Sequence, residues 1–399
     1  MHTLSILYKL LAQSVPVHAK RLNAITAAVH ALSQGATATV TSLGRHVAGD
    51  AYDKHKIKRI DRLLSNPHLF HERHAIYAAV ARRLVKGLPV PIIAIDWSPL
   101  CADQSWQLLR AALPVGGRAI TLYEEVHPQS KLGNRNIQHL FLDRLATIIP
   151  APCRPIIVAD SGFRTPFYRY VESTLGWHWV GRIRGRDFIR TSNETGQWLS
   201  AKSAYQKATT KAKQLGNIQW VKNNPLTAFA VLLRQSKKKR TALTYDGKKR
   251  RSKRNNVHVK REKEPWLLVA SLSLRGRTPE QIVKIYCTRM QIEEGFRDCK
   301  ANHYGLGQSQ NRRMNDKRRS VLCLLTTLAT FILWCIGVAG RQTVLAKRVR
   351  VNSSSRREPY SVVFLARLLI TQKKFRLPEK TVMSSINTIK PYMESILCG

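Results

Sequence analysis

The 399-residue chain carries 67 Lys and Arg against 24 Asp and Glu, a formal net charge of +43, and 44% of its residues are hydrophobic. That apolar content excludes a disordered basic tail, and the length suits two or three domains. The positive excess repels itself in the fold and is accounted for by a polyanion; nucleic acid is the commonest, with ribosomal-type RNA and anionic membranes as alternatives. Seven dispersed cysteines, none in a CxxC pair, argue against a disulfide framework and fit reduced thiols in a cytoplasm.

The first stretch, MHTLSILYKLLAQSVPVHAK, lacks a basic leader and is interrupted by Lys9, so it reads as a helix rather than a signal peptide. Residues 1–88 read as all-helical. Within them, TVTSLGRHVAGDAYDKHKIKRIDRLLSN predicts two short helices, Leu43–Ala48 capped by Thr41 or Ser42, and His55–Leu64 after the Gly49-Asp50 break. Ile57, Ile60 and Leu64 form an apolar stripe on the second, while Lys56, Lys58, Arg59 and Arg62 make a basic face suited to DNA contact or simply to solvent. His68, His71 and His74 have helical spacing, but no Cys or acid completes a four-ligand metal set.

From Leu88 the texture changes. VPIIAIDWS and RPIIVADSGF are short apolar runs that each end in an aspartate. Between them lie two strands about a Gly116-Gly117 turn and a helix in NIQHLFLDRLATIIP; TPFYRYVESTL and GWHWVGRIRGR add a helix and a strand. This order predicts an α/β fold with a mixed sheet. A strongly basic run, KKKRTALTYDGKKRRSKR, flanked by strand-like LTAFAVLLR and PWLLVASLSL, reads as a β-rich insertion with an exposed loop. Beyond Thr278 the chain turns helical. Val321–Gly340 is uncharged and long enough to span a bilayer, but its threonines and glycines equally suit a helix buried all round in a large domain; we expect the latter and no membrane partner. The expected segments are a helical DNA-binding domain over 1–88, the first part of the core over 89–186, the insertion over 187–275, core helices over 276–340, and a helical region over 341–399 that is a candidate for dimerisation.

Asp96 and Asp160 each close a buried strand, where α/β sheets gather ligands. One such aspartate could be a cap. Two in an acid-poor chain suggest a hard divalent cation with oxygen ligands. YCTRMQIEEGFRDCK is expected to form one helix in which Tyr286, Arg289, Glu293, Arg297 and Lys300 share a stripe, with Glu294 about 100° away. Helical geometry leaves two readings of Glu293 open, a third metal-binding acid or an ordinary i,i+4 pair with Arg289.

The spacing of Tyr286, Arg289, Glu293 and Lys300 resembles the Y-R-E-K signature of DDE transposases from bacterial insertion sequences, in the insertion-sequence-four group. IDWS, D-S-G-F, Q-I-E-E-x-F-R-D, KIKRIDRLL and RAITLYEEV agree with it, over residues 1 to about 340. The resemblance implies an RNase H-like catalytic core interrupted by a β-strand insertion. It implies a triad of Asp96, Asp160 and Glu293 holding two magnesium or manganese ions, and phosphate contacts by Tyr286, Arg289 and Lys300. It makes Trp266, at a strand start where an aromatic needs no special purpose, the counterpart of a tryptophan that stacks on a flipped base. It implies double-stranded DNA partners, both element ends and target, a homodimer in the paired-end complex, and a place on the bacterial nucleoid in the cytoplasm. The rival readings are a magnesium-dependent nuclease of the same core without strand transfer, and a non-catalytic basic nucleic-acid binder.

Overall fold

The fold is a computed structural model that describes residues 2–185, 187–191, 196–235, 264–301, 305–311, 313–351, 358–372 and 377–398. Its contacts divide the chain into two units. The first comprises Met1–Cys153 with Arg289–Ser395, and the second Arg154–Thr288 with Ile396–Gly399. The basic run over 237–254 lies outside the described residues.

In the first unit, helices His2–Ala12, Ala19–Ser33, Val40–His46, Asp53–Leu64 and Pro67–Val85 precede any strand. The third begins three residues earlier than the sequence suggests. Thr39, with extended backbone, is the cap, its hydroxyl accepting the Ser42 N–H at 3.3 Å. The Ser42 hydroxyl is engaged instead by the Thr37 backbone and side chain, both at 3.0 Å. Asp53–Leu64 likewise starts two residues early, with Asp53 favourably placed in its first turn. It buries Ile60, Leu63 and Leu64, exposes Lys58, Arg59 and Arg62, and half-buries Lys56. Helices three and four press together so closely that a Cβ on Gly44 would stand 2.5 Å from the Ile57 Cα.

Strands β1 (Ile92–Pro99), β2 (Trp106–Pro114) and β3 (Ala119–Pro128) run antiparallel in sequence order. The β2–β3 turn places Gly116 and Gly117 both at φ +85°, which side chains resist and glycine permits. Asp96 lies opposite Arg110, and Arg110 opposite Glu124, so one cross-strand row carries acid, base, acid on a single face. The same face packs Ala94, Leu108 and Ala112 against Ile292 and Phe296 of helix Met290–Lys300 and Cys323 of helix Asp316–Arg341. The latter is the long apolar helix, and 89% of its most hydrophobic window is buried inside the protein. Helix Val362–Thr371 crosses it where glycines allow: a Cβ on Gly337 would meet the Val362 carbonyl oxygen at 1.9 Å.

The second unit begins with β4 (Ile156–Ala159) parallel to β5 (His178–Ile183). Strands β6 (Phe188–Thr191), β7 (Leu199–Ser200), β8 (Lys213–Trp220), β9 (Leu226–Leu233) and β10 (Trp266–Ala270) extend it in antiparallel pairs, β5–β10, β10–β9, β9–β8, β8–β6 and β6–β7. Helix Pro279–Cys287 carries a full capping box between Thr278 and Gln281. The result is the expected α/β architecture with a mixed sheet.

The acids of RAITLYEEV are structural. Glu124, 2% exposed, accepts from Arg110 Nε at 2.7 Å, Tyr77 at 3.1 Å and Thr327 at 2.7 Å. For Glu125, burial alone would push the carboxyl up. Hydrogen bonds with His127 (2.9 Å), Tyr123 (2.7 Å) and Arg144 (2.8 Å) outweigh it and hold the group down at about 2. A carboxyl depressed in the fold stabilises fully above its unfolded pKa and loses that contribution as pH falls through its folded one, here roughly 3 kcal/mol in scale. Glu125→Gln should therefore lower unfolding free energy at pH 7 and flatten its decline between pH 4.5 and 2 in denaturant titrations. Parallel pH profiles for variant and wild type would contradict this assignment.

Candidate active site

Asp96 stands where β1 passes from buried to half-buried residues. Its Oδ1 accepts the Trp97 N–H at 2.8 Å, and its Oδ2 accepts from Arg289 Nη1 at 3.2 Å. Arg289 Nη2 donates to Glu293 Oε1 at 2.8 Å. One guanidinium, 13% exposed, thus links carboxylates from a strand and a helix. The side chains of Asp96 and Glu293 are 15% and 42% exposed, so Glu293 is the member facing solvent.

The single helix expected over Tyr286–Lys300 is in fact two. Pro279–Cys287 ends, and Met290–Lys300 begins after a tight step at Thr288 and Arg289. The N–H groups of Thr288 and Ile292 bond three residues back, to Ile285 and Arg289, and the buried Thr288 hydroxyl donates to the Ile285 carbonyl at 2.7 Å. Such local bonding of a threonine competes with the regular helical ladder. The five residues are therefore carried by two helices, with Tyr286 on the earlier one and Arg289 at the start of the later one; Thr288 (φ −62°, ψ −24°) and Arg289 (φ −52°, ψ −35°) keep right-handed helical backbone angles.

The expected separation of the two adjacent glutamates is present. Glu294 pairs with Arg297 at 3.0 Å and Arg118 at 3.7 Å, not with Arg289. Lys300 Nζ donates to the Ser98 hydroxyl and, at 3.0 Å, to the Pro99 carbonyl, and lies 4.9 Å from the Phe296 ring centroid. Burial, then the Arg110 charge, lowers its ammonium to about 8. Asp96, Arg289, Glu293 and Lys300 thus share one unit and converge on one stretch of β1. Ser98 was not singled out from the sequence, although its position two residues beyond Asp96 places it on the same strand face.

Asp160 belongs to the second unit. Its carboxylate accepts the Gly162 N–H at 2.7 Å, and a Cβ on Gly162 would sit 2.8 Å from that oxygen, which explains glycine in D-S-G-F. The Tyr168 hydroxyl braces the Asp160 carbonyl at 3.3 Å. In the same unit Tyr286, 4% exposed, meets half-buried Trp266 edge to face at 5.1 Å, and the Arg182 guanidinium lies 5.8 Å from the Trp266 ring. The basic face Lys56, Lys58, Arg59 and Arg62 stands on its own helix, Asp53–Leu64.

Among the described residues no group of three or more His, Cys, Asp or Glu side chains could hold a metal ion. The donors Asp96 and Glu293 are nevertheless hard oxygens already gathered around a cation, the guanidinium of Arg289, a chemistry that suits a hard divalent ion.

A family model described as "Transposase DDE domain" matches residues 92–331, more than half of the chain. No curated protein matches it.

Because Arg289 competes for the same oxygens, Arg289→Gln should tighten Mn2+ binding to the DNA-free chain, read by calorimetry. Weaker or unchanged binding in the variant would show that the guanidinium does not occupy a cation site.

Proposed function

The chain belongs to the DDE transposase family, and from that premise we propose that it is a cut-and-paste transposase of the insertion-sequence-four group. It binds the terminal inverted repeats of its own element, excises the element and joins it to target DNA. The family generally uses divalent metal ions, and its substrate is DNA. The observation that carries the reading is the Arg289 guanidinium shared by Asp96 and Glu293, with Lys300 anchored on the same strand end.

In this account Asp96, Asp160 and Glu293 would hold two Mg2+ or Mn2+ ions. When bound, such ions polarise the scissile phosphate and make water or a hydroxyl a better nucleophile. Arg289 exchanges its carboxylate partners for backbone phosphate oxygens, and Lys300 and Tyr286 hold neighbouring phosphates. The cationic face Lys56, Lys58, Arg59 and Arg62 grips duplex backbone, so binding weakens steeply with salt. Water first attacks a phosphodiester, breaking the P–O3′ bond and freeing a 3′-OH. That hydroxyl attacks the opposite strand, displacing its 3′ oxygen and closing a hairpin. Water reopens the hairpin, and the regenerated 3′-OH attacks target DNA. Each step is a displacement at phosphorus, so no covalent enzyme intermediate is required. Trp266 stacks on a base flipped out of the bent hairpin end, repaying part of the unstacking cost. Pairing of two element ends calls for two copies of the chain.

Asp96→Asn, Asp160→Asn and Glu293→Gln should each cut nicking of a duplex carrying the element ends by roughly a thousandfold or more while leaving end binding intact. Glu294→Gln should stay within about tenfold of wild type, since its partners lie on another face. Denaturing gels with Mg2+ give the answer, and equal losses at Glu293 and Glu294 would refute the assignment. Trp266→Ala should depress hairpins more than first nicks; a normal hairpin yield would remove the stacking role. Precleaved ends supplied with a target plasmid separate a transposase from a nuclease, which would leave the ends unjoined.

A further inference from the structure

Helix Met290–Lys300, which carries Glu293, has a second seam. Gln291, Glu294, Gly295 and Asp298 recur at helical spacing on one side of it, and all four meet the β2–β3 turn. The Gln291 Oε1 accepts the N–H groups of Val115 and Gly116, both at 3.1 Å; the first of these is shared with the Arg118 carbonyl at 2.8 Å. Arg118 pairs with Asp298 at 2.7 Å and stands 3.7 Å from Glu294. A Cβ on Gly295 would lie 3.1 Å from the Ala119 carbonyl oxygen, so the helix backbone sits close on the strand there. Arg289, Glu293 and Lys300 project from the other side of the same helix, where Arg289 reaches Asp96 and Lys300 reaches Ser98 and Pro99.

Gln291 is held in turn by a residue far along the chain. Its Nε2 donates to the hydroxyl of Tyr392, on helix Ile389–Leu397. The Tyr392 ring also lies over the turn, 3.7 Å from where a Cβ on Gly116 would stand. One half-buried amide thus accepts two bonds from the turn and donates one to the C-terminal helix, a combination that amide chemistry supplies. Tyr392 lies outside residues 92–331, the span matched by the transposase domain. A glutamine that bridges a turn is ordinary in itself. This one sits two residues before Glu293, whose carboxylate bonds, among the described residues, to Arg289 only. Where Glu293 stands relative to Asp96 is therefore decided by where its helix is seated.

We propose that Gln291 is a positioning residue for the metal centre: by tying its helix to the β2–β3 turn it sets Glu293 against Asp96, and Tyr392 of the C-terminal helix holds it in the orientation that does so. The proposal rests on the reading of the chain as a metal-dependent DNA-cutting transposase. Mg2+ demands near-ideal octahedral geometry, and groups that orient its ligands from behind commonly change affinity by roughly ten- to a hundredfold.

The test uses the full chain and a duplex carrying the element ends. Gln291→Met keeps the length of the side chain and loses its three hydrogen bonds. It should raise the Mg2+ needed for half-maximal nicking roughly tenfold, keep the rate at saturating Mg2+ within about threefold, and leave end binding in Ca2+ unchanged. In calorimetry the DNA-free variant should bind Mn2+ about tenfold more weakly than wild type. Tyr392→Phe removes the brace without altering the helix of Glu293; it should shift both readings the same way by about threefold, and it carries the test if Gln291→Met folds poorly. Asn66→Ala, which removes the cap of helix Pro67–Val85, should lower the melting temperature and move neither reading. If Gln291→Met and Tyr392→Phe melt early like Asn66→Ala yet keep the wild-type Mg2+ requirement and Mn2+ affinity, the contact is purely structural and the proposal is overturned. A shift in Gln291→Met with none in Tyr392→Phe would overturn the part given to the C-terminal helix. A wild-type chain that binds no Mn2+ and nicks the duplex with no divalent ion would overturn the functional reading and the positioning role with it.

Discussion

Arg289 solves a charge problem. Two carboxylates on different elements, Asp96 on β1 and Glu293 on helix Met290–Lys300, are brought to one place, where without a cation they would repel each other. The guanidinium has the shape for this: its two terminal nitrogens donate to two separate acceptors at once. The arrangement holds both carboxylates on one cation. On the proposed reading, a metal would enter this site by exchanging one cation for another rather than by assembling a repelled pair.

That geometry is held from beneath. Arg110, directly opposite Asp96, turns its guanidinium to Glu124 and stacks 4.7 Å from Phe296, the residue that seats Glu293's helix on the sheet. Tyr77 and Thr327 complete the Glu124 shell from two further helices. A buried ion pair adds little net stability, but breaking one by removing a single partner is costly. Its effect here is to fix which helices lie against the row containing Asp96. The apolar helix Asp316–Arg341 supplies the surrounding core; Gly337 lets its neighbour approach to backbone contact, and Gly340 makes room for the Leu369 side chain.

Much of this was legible in the residues. The two strand-end aspartates stood out because a carboxylate after four apolar residues is rare in a chain with 24 acids. The mixed α/β class followed from short apolar runs alternating with helical periods. The different facing of Glu293 and Glu294 followed from the 100° step alone. Other features depended on tertiary detail. The tight step at Thr288 and Arg289 has no glycine or proline to announce it; it coincides with a buried hydroxyl bonding its own backbone. The Thr39 cap was hidden because Thr41 and Ser42 are equally good capping residues, and Ser42 was already committed to Thr37. The partners of Lys300 and the Asp96–Arg110–Glu124 row are matters of strand register, which alternation narrows but does not specify.

We propose that Asp96, Asp160 and Glu293 act as a single metal-binding centre, and iron-directed cleavage of the chain tests this most directly. Fe2+ substituted for Mg2+ in the complex with a DNA end, followed by ascorbate and peroxide, cuts the polypeptide wherever it passes close to the bound ion. The account predicts fragments ending near residues 96, 160 and 293 together, all suppressed by excess Mg2+. Fragments near 96 and 293 with none near 160, or no cleavage at any of the three, would contradict it.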